Sequence, residues 1–231
     1  MIKTKKTKEK WSQELTLPSR MYQIISHRLI RSIPYIPSSE RYNITICHKE
    51  KFLWFRVAKV GTRTIFDVFD QAQLDLAAEH PMFCHYPTRG YKEYFKFAFV
   101  RNPWDRLVSC WQNKVVGENY FRFSDARLLA MQTFENFVDF VGNQNIEQCD
   151  HHIRLQQKLI DLNSVDFIGR FENFNAGLEK IIEIIGNKSV TINPTNLSAN
   201  RSDYREYYDA HLKEKVAGIY HKDINIFKYD F

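Results

Sequence analysis

No apolar run in this 231-residue chain approaches the roughly 18 residues that a membrane-spanning helix requires, which excludes an integral membrane protein of the helical kind. The lysine-rich start, MIKTKKTKEK, is followed by no apolar stretch of the sort a secretory signal carries. Cysteine is scarce: Cys47, Cys84, Cys110 and Cys149 form no C-x-x-C pair. The expectation is therefore of reduced, mostly buried thiols in a cytoplasmic chain, not a disulfide framework. Internal repeats are absent, and nothing beyond the first residues is of low complexity.

What is present is apolar and basic. With 44% hydrophobic and 15% aromatic residues the chain can bury a real core, so global disorder is excluded. The length suits a single domain over 19–231, preceded by a flexible basic tail over 1–18. A net charge of +6 favours an anionic ligand such as a phosphate, a nucleotide or an acidic polysaccharide. Five of the lysines lie in the first ten residues, and no recognition motif accompanies the charge, so nucleic acid is not an expected partner. Ser19–Ile33 has helical spacing with basic residues between its apolar positions. It reads as a helix packed on the domain or, alternatively, as a basic amphipathic segment making weak contact with a membrane surface.

Strand and helix signals then alternate. KFLWFRV (51–57), YFKFAFV (94–100) and SVDFIGR (164–170) are short, nearly continuous apolar runs, as expected of buried parallel strands. Each precedes a helical pattern, namely GTRTIFDVFDQAQLDLA, PWDRLVSCWQNKV and FENFNAGLEKIIEIIG, the last closed by Gly186. Two further helices are expected at about 134–141 and 149–161, and one or two in the final stretch. Strand followed by helix three times predicts an α/β fold with a central parallel sheet flanked by helices.

Ligands of such sheets bind beyond the carboxyl ends of the strands, where helix N-termini point. Two corners there carry chemistry. In RVAKVGTRT, Lys59 and Gly61 precede a helix starting near Thr62, so backbone N–H groups, a point charge and the hydroxyls of Thr62 and Thr64 converge. This is neither a Walker A loop nor a G-x-G-x-x-G, and alone it also fits an ordinary strand–helix turn. In FVRNPWDRLVS, Pro103 suits the first helical position, and Arg101 with Ser109 could grip a phosphate. The competing reading is an Arg101–Asp105 ion pair closing the corner. Arg106 is expected to face acidic residues or solvent. Two anion sites on neighbouring strand ends suit a nucleotide 3′,5′-bisphosphate.

VAKVGTRTI and FKFAFVRNPWDRLVSCW, with DHHIRLQQ, VDFIGRFENF and the terminal RSDYREYYDAHLKEKVAGIYHKDINIFKYDF, resemble the motifs of the carbohydrate sulfotransferase family over roughly residues 50–231. The resemblance implies a P-loop-like α/β fold and 3′-phosphoadenosine 5′-phosphosulfate as donor, with no metal. It implies that Lys59, Gly61, Thr62, Arg63 and Thr64 surround the 5′-phosphosulfate, and that Arg101 and Ser109 hold the 3′-phosphate. Ser198, Arg201 and Tyr204 would belong to a loop closing over the nucleotide. Lys59 and His85 would be catalytic, the histidine as general base, while His152 and Gln156 would lie near a saccharide acceptor. Ala58 and Arg63 depart from the usual pattern, and the basic tail implies a soluble member. Cys149, His151 and His152 have no second ligand pair at zinc spacing. Trp104, Trp111, Phe134 and Phe137 are expected in the core. Two other readings stay open at this level, a non-catalytic nucleotide- or polyanion-binding module and a P-loop-like small-molecule kinase.

Overall fold

The FLWF run forms strand β2 (Phe52–Phe55), whose four residues are all buried, as a strand covered on both faces must be. A computed structural model describes residues 37–186 and 203–231. The expected helix at 19–33 therefore lies outside the described residues. β2 pairs in parallel with β4 (Phe95–Val100), Phe52 opposite Phe95, and β4 pairs in parallel with β5 (Phe167–Arg170), Val100 opposite Arg170. These are the three strands the apolar runs predict.

Two more strands widen the sheet to the order β3-β1-β2-β4-β5. β1 (Ile44–Cys47) runs antiparallel to β2 and to β3 (Leu76–Ala78), so four of the five strands share one direction. Neither was expected. The helical reading of GTRTIFDVFDQAQLDLA overshoots at this edge, because α1 (Thr62–Gln71) ends before the chain turns into β3.

The remaining helices are α2 (Pro103–Trp111), α3 (Asp125–Met131), α4 (Phe134–Gly142), α5 (Phe174–Ile184) and α6 (Ala210–Phe227). α1 and α5 bury Ile65, Phe66 and Phe69, and Phe174, Leu178 and Ile181, in one apolar cluster with the strands. A second cluster joins α2, α4 and α6 through Trp104, Leu107, Val108, Phe137, Val141, Val216 and Tyr220. The expected core aromatics fall in this second cluster, with Trp111 partly buried against it. Gly186 follows α5 at φ +77° and its N–H donates to the Glu183 carbonyl at 3.0 Å, the helix stop read from sequence.

The helix expected over 149–161 does not form. Asp150 Oδ1 accepts from the backbone N–H of His152 at 2.9 Å, a local turn that competes with the helix, and only Gln156–Leu159 makes a 3₁₀ turn. Ile153, Leu155, Leu159 and Ile160 are nonetheless buried, and this is what mimics a helical pattern. Among the described residues no helix is long and apolar enough to cross a membrane.

Candidate active site

Both corners singled out in the sequence open onto one cleft of about 680 Å³ beyond the strand ends. In the first, the chain leaves β2 and reverses through Lys59 at φ +72° and Gly61 at φ +82°, which caps α1. Glycine is required there twice over. A side chain would adopt a disfavoured left-handed conformation, and its Cβ would sit 2.9 Å from the Phe174 ring. The left-handed Lys59 is a strained non-glycine residue, a cost usually met at functional sites. The Thr62 hydroxyl donates to the Val57 carbonyl at 3.3 Å and ties the turn to the strand end.

The second corner is built by α2. Pro103 is the first helical residue, and the Asn102 side chain accepts from the Trp104 N–H at 3.1 Å. Arg101, only 3% exposed, divides its guanidinium three ways. Nε donates to Asp105 at 2.6 Å and Nη1 to the Lys59 carbonyl at 2.9 Å, while Nη2 is buried with no partner among the described residues. Its plane stacks 4.0 Å above the Phe171 ring. The ion pair weighed against the anion-site reading therefore exists, and it leaves one donor over. Burial lowers the Arg101 pKa and raises that of Asp105 in spite of their mutual attraction, so the pair does not offset its own desolvation. A buried donor without a partner calls for an acceptor.

After α2 the chain continues in a π turn, Gln112–Val116, which swings Gln112, Asn113 and Lys114 to the cleft. Asn113 Oδ1 accepts from Lys59 Nζ at 2.9 Å and aims the ammonium. Burial, together with Lys114, Arg101 and Arg63, brings the Lys59 pKa down from 10.5 to about 8. Arg56, Lys59, Arg63, Arg101 and Lys114 all line the cleft, and among the described residues no carboxylate does. The result is a concentrated positive field beside the N-terminus of α1.

Gly61, Thr62, Thr64, Ser109 and His152 line the same cleft. His85 does not. It lines a neighbouring cleft with Arg41, Phe83, Arg154 and Lys158, and its Nδ1 meets the Ser38 carbonyl at 2.7 Å. The Phe83 ring lies edge-on against His151 where the two clefts adjoin. Gln156 requires correction. It is buried and does not line the cleft, its amide oxygen accepts from the Arg101 N–H at 2.9 Å and its amide nitrogen donates to the Arg101 carbonyl at 2.8 Å, so its polar groups serve the Arg101 backbone and not an acceptor. Arg106 is corrected too. At 1% exposure it faces neither acid nor solvent but donates to the carbonyls of Ala58, Arg154 and His151 at 2.9–3.0 Å, tying α2 to both walls of the cleft. Tyr204 stands off the cleft, its hydroxyl accepting from Asn102 Nδ2 at 3.3 Å. Ser198 and Arg201 lie outside the described residues.

Sequence reasoning missed Arg56, Asn113, Lys114 and His151. The polar Q-N-K break at the end of an apolar helix was the available signal for two of them. The ligating atoms of Asp150, His151 and His152 lie within 4.8 Å of one another, close enough for a cation to bridge. Hydrogen bonds already account for that proximity. Asp150 Oδ1 accepts from His152 Nδ1 at 2.9 Å and Oδ2 from the Tyr120 hydroxyl at 3.1 Å.

A layered α/β sheet with cationic loops at its strand ends is an arrangement suited to anionic ligands. Residues 42–230 match the sequence profile of the sulfotransferase family, and the chain belongs to that family. Carbohydrate sulfotransferase 14 of Mus musculus and of Homo sapiens are each 27% identical over 176 residues, covering 64% of this chain and 46% of the relative. The Danio rerio protein of that name is 24% identical over 179 residues, covering 67% and 49%. The chain thus spans about half the length of the curated relatives it matches. No solved structure matches it.

Proposed function

We propose that the cleft binds 3′-phosphoadenosine 5′-phosphosulfate and transfers its sulfonate to a saccharide hydroxyl. The observation that carries this reading is the buried Nη2 of Arg101, without a partner among the described residues, on a side chain that lines the same cleft as Lys59. The Lys59–Thr64 turn takes the 5′ end of the donor, while Arg101 and Ser109 take the 3′-phosphate. Sulfonate transfer needs in-line positioning and positive charge on the leaving phosphate, and Lys59, aimed by Asn113, supplies that charge at the bridging oxygen. The saccharide is inferred from the name of the relatives. A kinase reading is weaker, because among the described residues the cleft is lined by no carboxylate for the Mg²⁺ that phosphoryl transfer uses.

Calorimetric titration with adenosine 3′,5′-bisphosphate, with ATP as control, tests the reading. Micromolar binding of the bisphosphate and much weaker binding of ATP are expected. Arg101→Ala should lose about 2 kcal/mol of binding, the cost of removing a charged hydrogen bond, and Ser109→Ala about half of that. Equal affinity for the two nucleotides, or no binding of either, contradicts it.

A further inference from the structure

We infer that Asp150, His151 and His152 form a binding site for one divalent transition-metal ion of the zinc class on the wall of the cleft. The inference does not depend on the sulfonate donor. Two imidazoles and one carboxylate are a donor set that such ions prefer, and three protein ligands leave a fourth position open. Both histidines line the cleft, so that position opens onto it. Zinc bonds of about 2.0–2.1 Å in a tetrahedral shell set neighbouring ligand atoms about 3.3 Å apart. Here His152 Nδ1 lies 2.9 Å from Asp150 Oδ1, and His151 Nδ1 lies 3.7 Å from Oδ2, on either side of that spacing. One ligand atom from each of the three residues lies within 4.8 Å of the others. Rotation of the side chains closes the remainder.

The hydrogen bonds that gather the three side chains also hold them ready as ligands. Asp150 Oδ1 accepts from the His152 N–H at 2.9 Å, and the buried Arg106 pins the turn by donating to the His151 carbonyl at 2.9 Å. The Tyr120 hydroxyl donates to Asp150 Oδ2 at 3.1 Å, the outer-shell bond that a ligating carboxylate usually carries. An arriving ion takes the place of the proton that His152 Nδ1 shares with Asp150, and that proton moves to Nε2. The ring stays neutral and no proton is lost to solvent. Lys59 and Lys114 beside His152, and Arg106 and Arg56 beside His151, oppose the added positive charge. The affinity is therefore micromolar, well short of a structural zinc site. With a single carboxylate the site does not suit Mg²⁺ or Ca²⁺, which take oxygen ligands.

Calorimetric titration of the full chain with Zn²⁺, without nucleotide, tests this. One ion should bind with micromolar affinity, and Mg²⁺ at the same concentration should give no heat of binding. His151→Ala, His152→Ala and Asp150→Ala should each weaken Zn²⁺ binding by at least about tenfold, and Tyr120→Phe by about tenfold. His221→Gln, which alters an exposed histidine of α6, and Cys149→Ser, which removes the thiol preceding Asp150, should stay within about twofold of the wild type. Because a ligand variant can also loosen the fold, Co²⁺ absorption and imidazole-nitrogen NMR of the wild type supply independent readouts. The Co²⁺ protein should show the visible bands of a four-coordinate nitrogen–oxygen shell and no thiolate-to-cobalt band in the near ultraviolet. Zn²⁺ should convert His152 from the Nδ1–H to the Nε2–H tautomer. A thiolate band, Zn²⁺ affinity unchanged in all three ligand variants, Mg²⁺ binding as tight as Zn²⁺, or no Zn²⁺ binding by the wild type overturns the inference. Each of those results leaves the sulfotransferase reading standing, which the bisphosphate titration tests separately.

Discussion

Lys59 carries the tension between folding and function in a single side chain. Its backbone is left-handed, its side chain is half-buried, and its pKa falls from 10.5 to about 8. A lowered lysine pKa means that the unfolded chain binds more protons between those two values, so this group's contribution to stability rises with pH across that window. Near neutrality the charged side chain destabilises the free protein. Lys59→Met should therefore stabilise it by about 2 kcal/mol at about pH 7, the linkage value discounted for partial exposure to water, and by less than about 1 kcal/mol at about pH 9.5. Urea denaturation at the two pH values measures this, and a variant less stable than the wild type at both would show that Lys59 is a structural strut. The same variant should lose bisphosphate affinity. The lysine, the arginine and their neighbouring glycine were legible as neighbours in the sequence because each corner follows an apolar run at a strand–helix turn. Asn113 was not, because only the π turn after α2 brings it to Lys59.

At the scale of elements, the strand ends are held by side chains that imitate backbone. Gln156 adds two amide hydrogen bonds to Arg101 as an extra strand residue would, and Asp223 holds the N–H groups of Gln156 and Gln157 at 2.7 and 3.0 Å. Gln156→Ala removes the partner of one buried N–H and one buried carbonyl, and should cost about 2–4 kcal/mol by chemical denaturation. Donor affinity should fall with it, since the Arg101 backbone loses its brace. Unchanged stability with a selective loss of acceptor use would instead return Gln156 to the acceptor site. Legibility at this scale followed the length of the apolar run in the sequence. β2, β4 and β5 lie in nearly continuous apolar runs, whereas β1, though fully buried, is interrupted by Thr45, and β3 has three residues and is only half-buried. The 149–161 stretch misled because its buried residues recur at near-helical intervals while Asp150 holds the backbone in a turn.

In the whole molecule, one apolar cluster centres on the sheet with α1 and α5, and another on α2, α4 and α6. The Lys59 and Arg101 corners belong to elements of both. Arg106 crosses between them, which is why its guanidinium is buried on carbonyls and not paired with acid. The net charge of +6 favoured an anionic ligand without saying where one would sit, because that depends on which cations the fold gathers. The layered α/β architecture and the two corners were legible from strand–helix alternation. The separation of His85 from Lys59 was not, since it depends on the three-dimensional path of the segment before β4.

The most direct test of the central claim is a structure of the protein with adenosine 3′,5′-bisphosphate bound. The 5′-phosphate should lie within about 3.5 Å of Lys59 Nζ and the Thr62–Thr64 turn, with the 3′-phosphate accepting from Arg101 Nη2 and Ser109. A nucleotide seated in the His85 cleft, or one whose phosphates leave Arg101 Nη2 without a partner, would contradict the account.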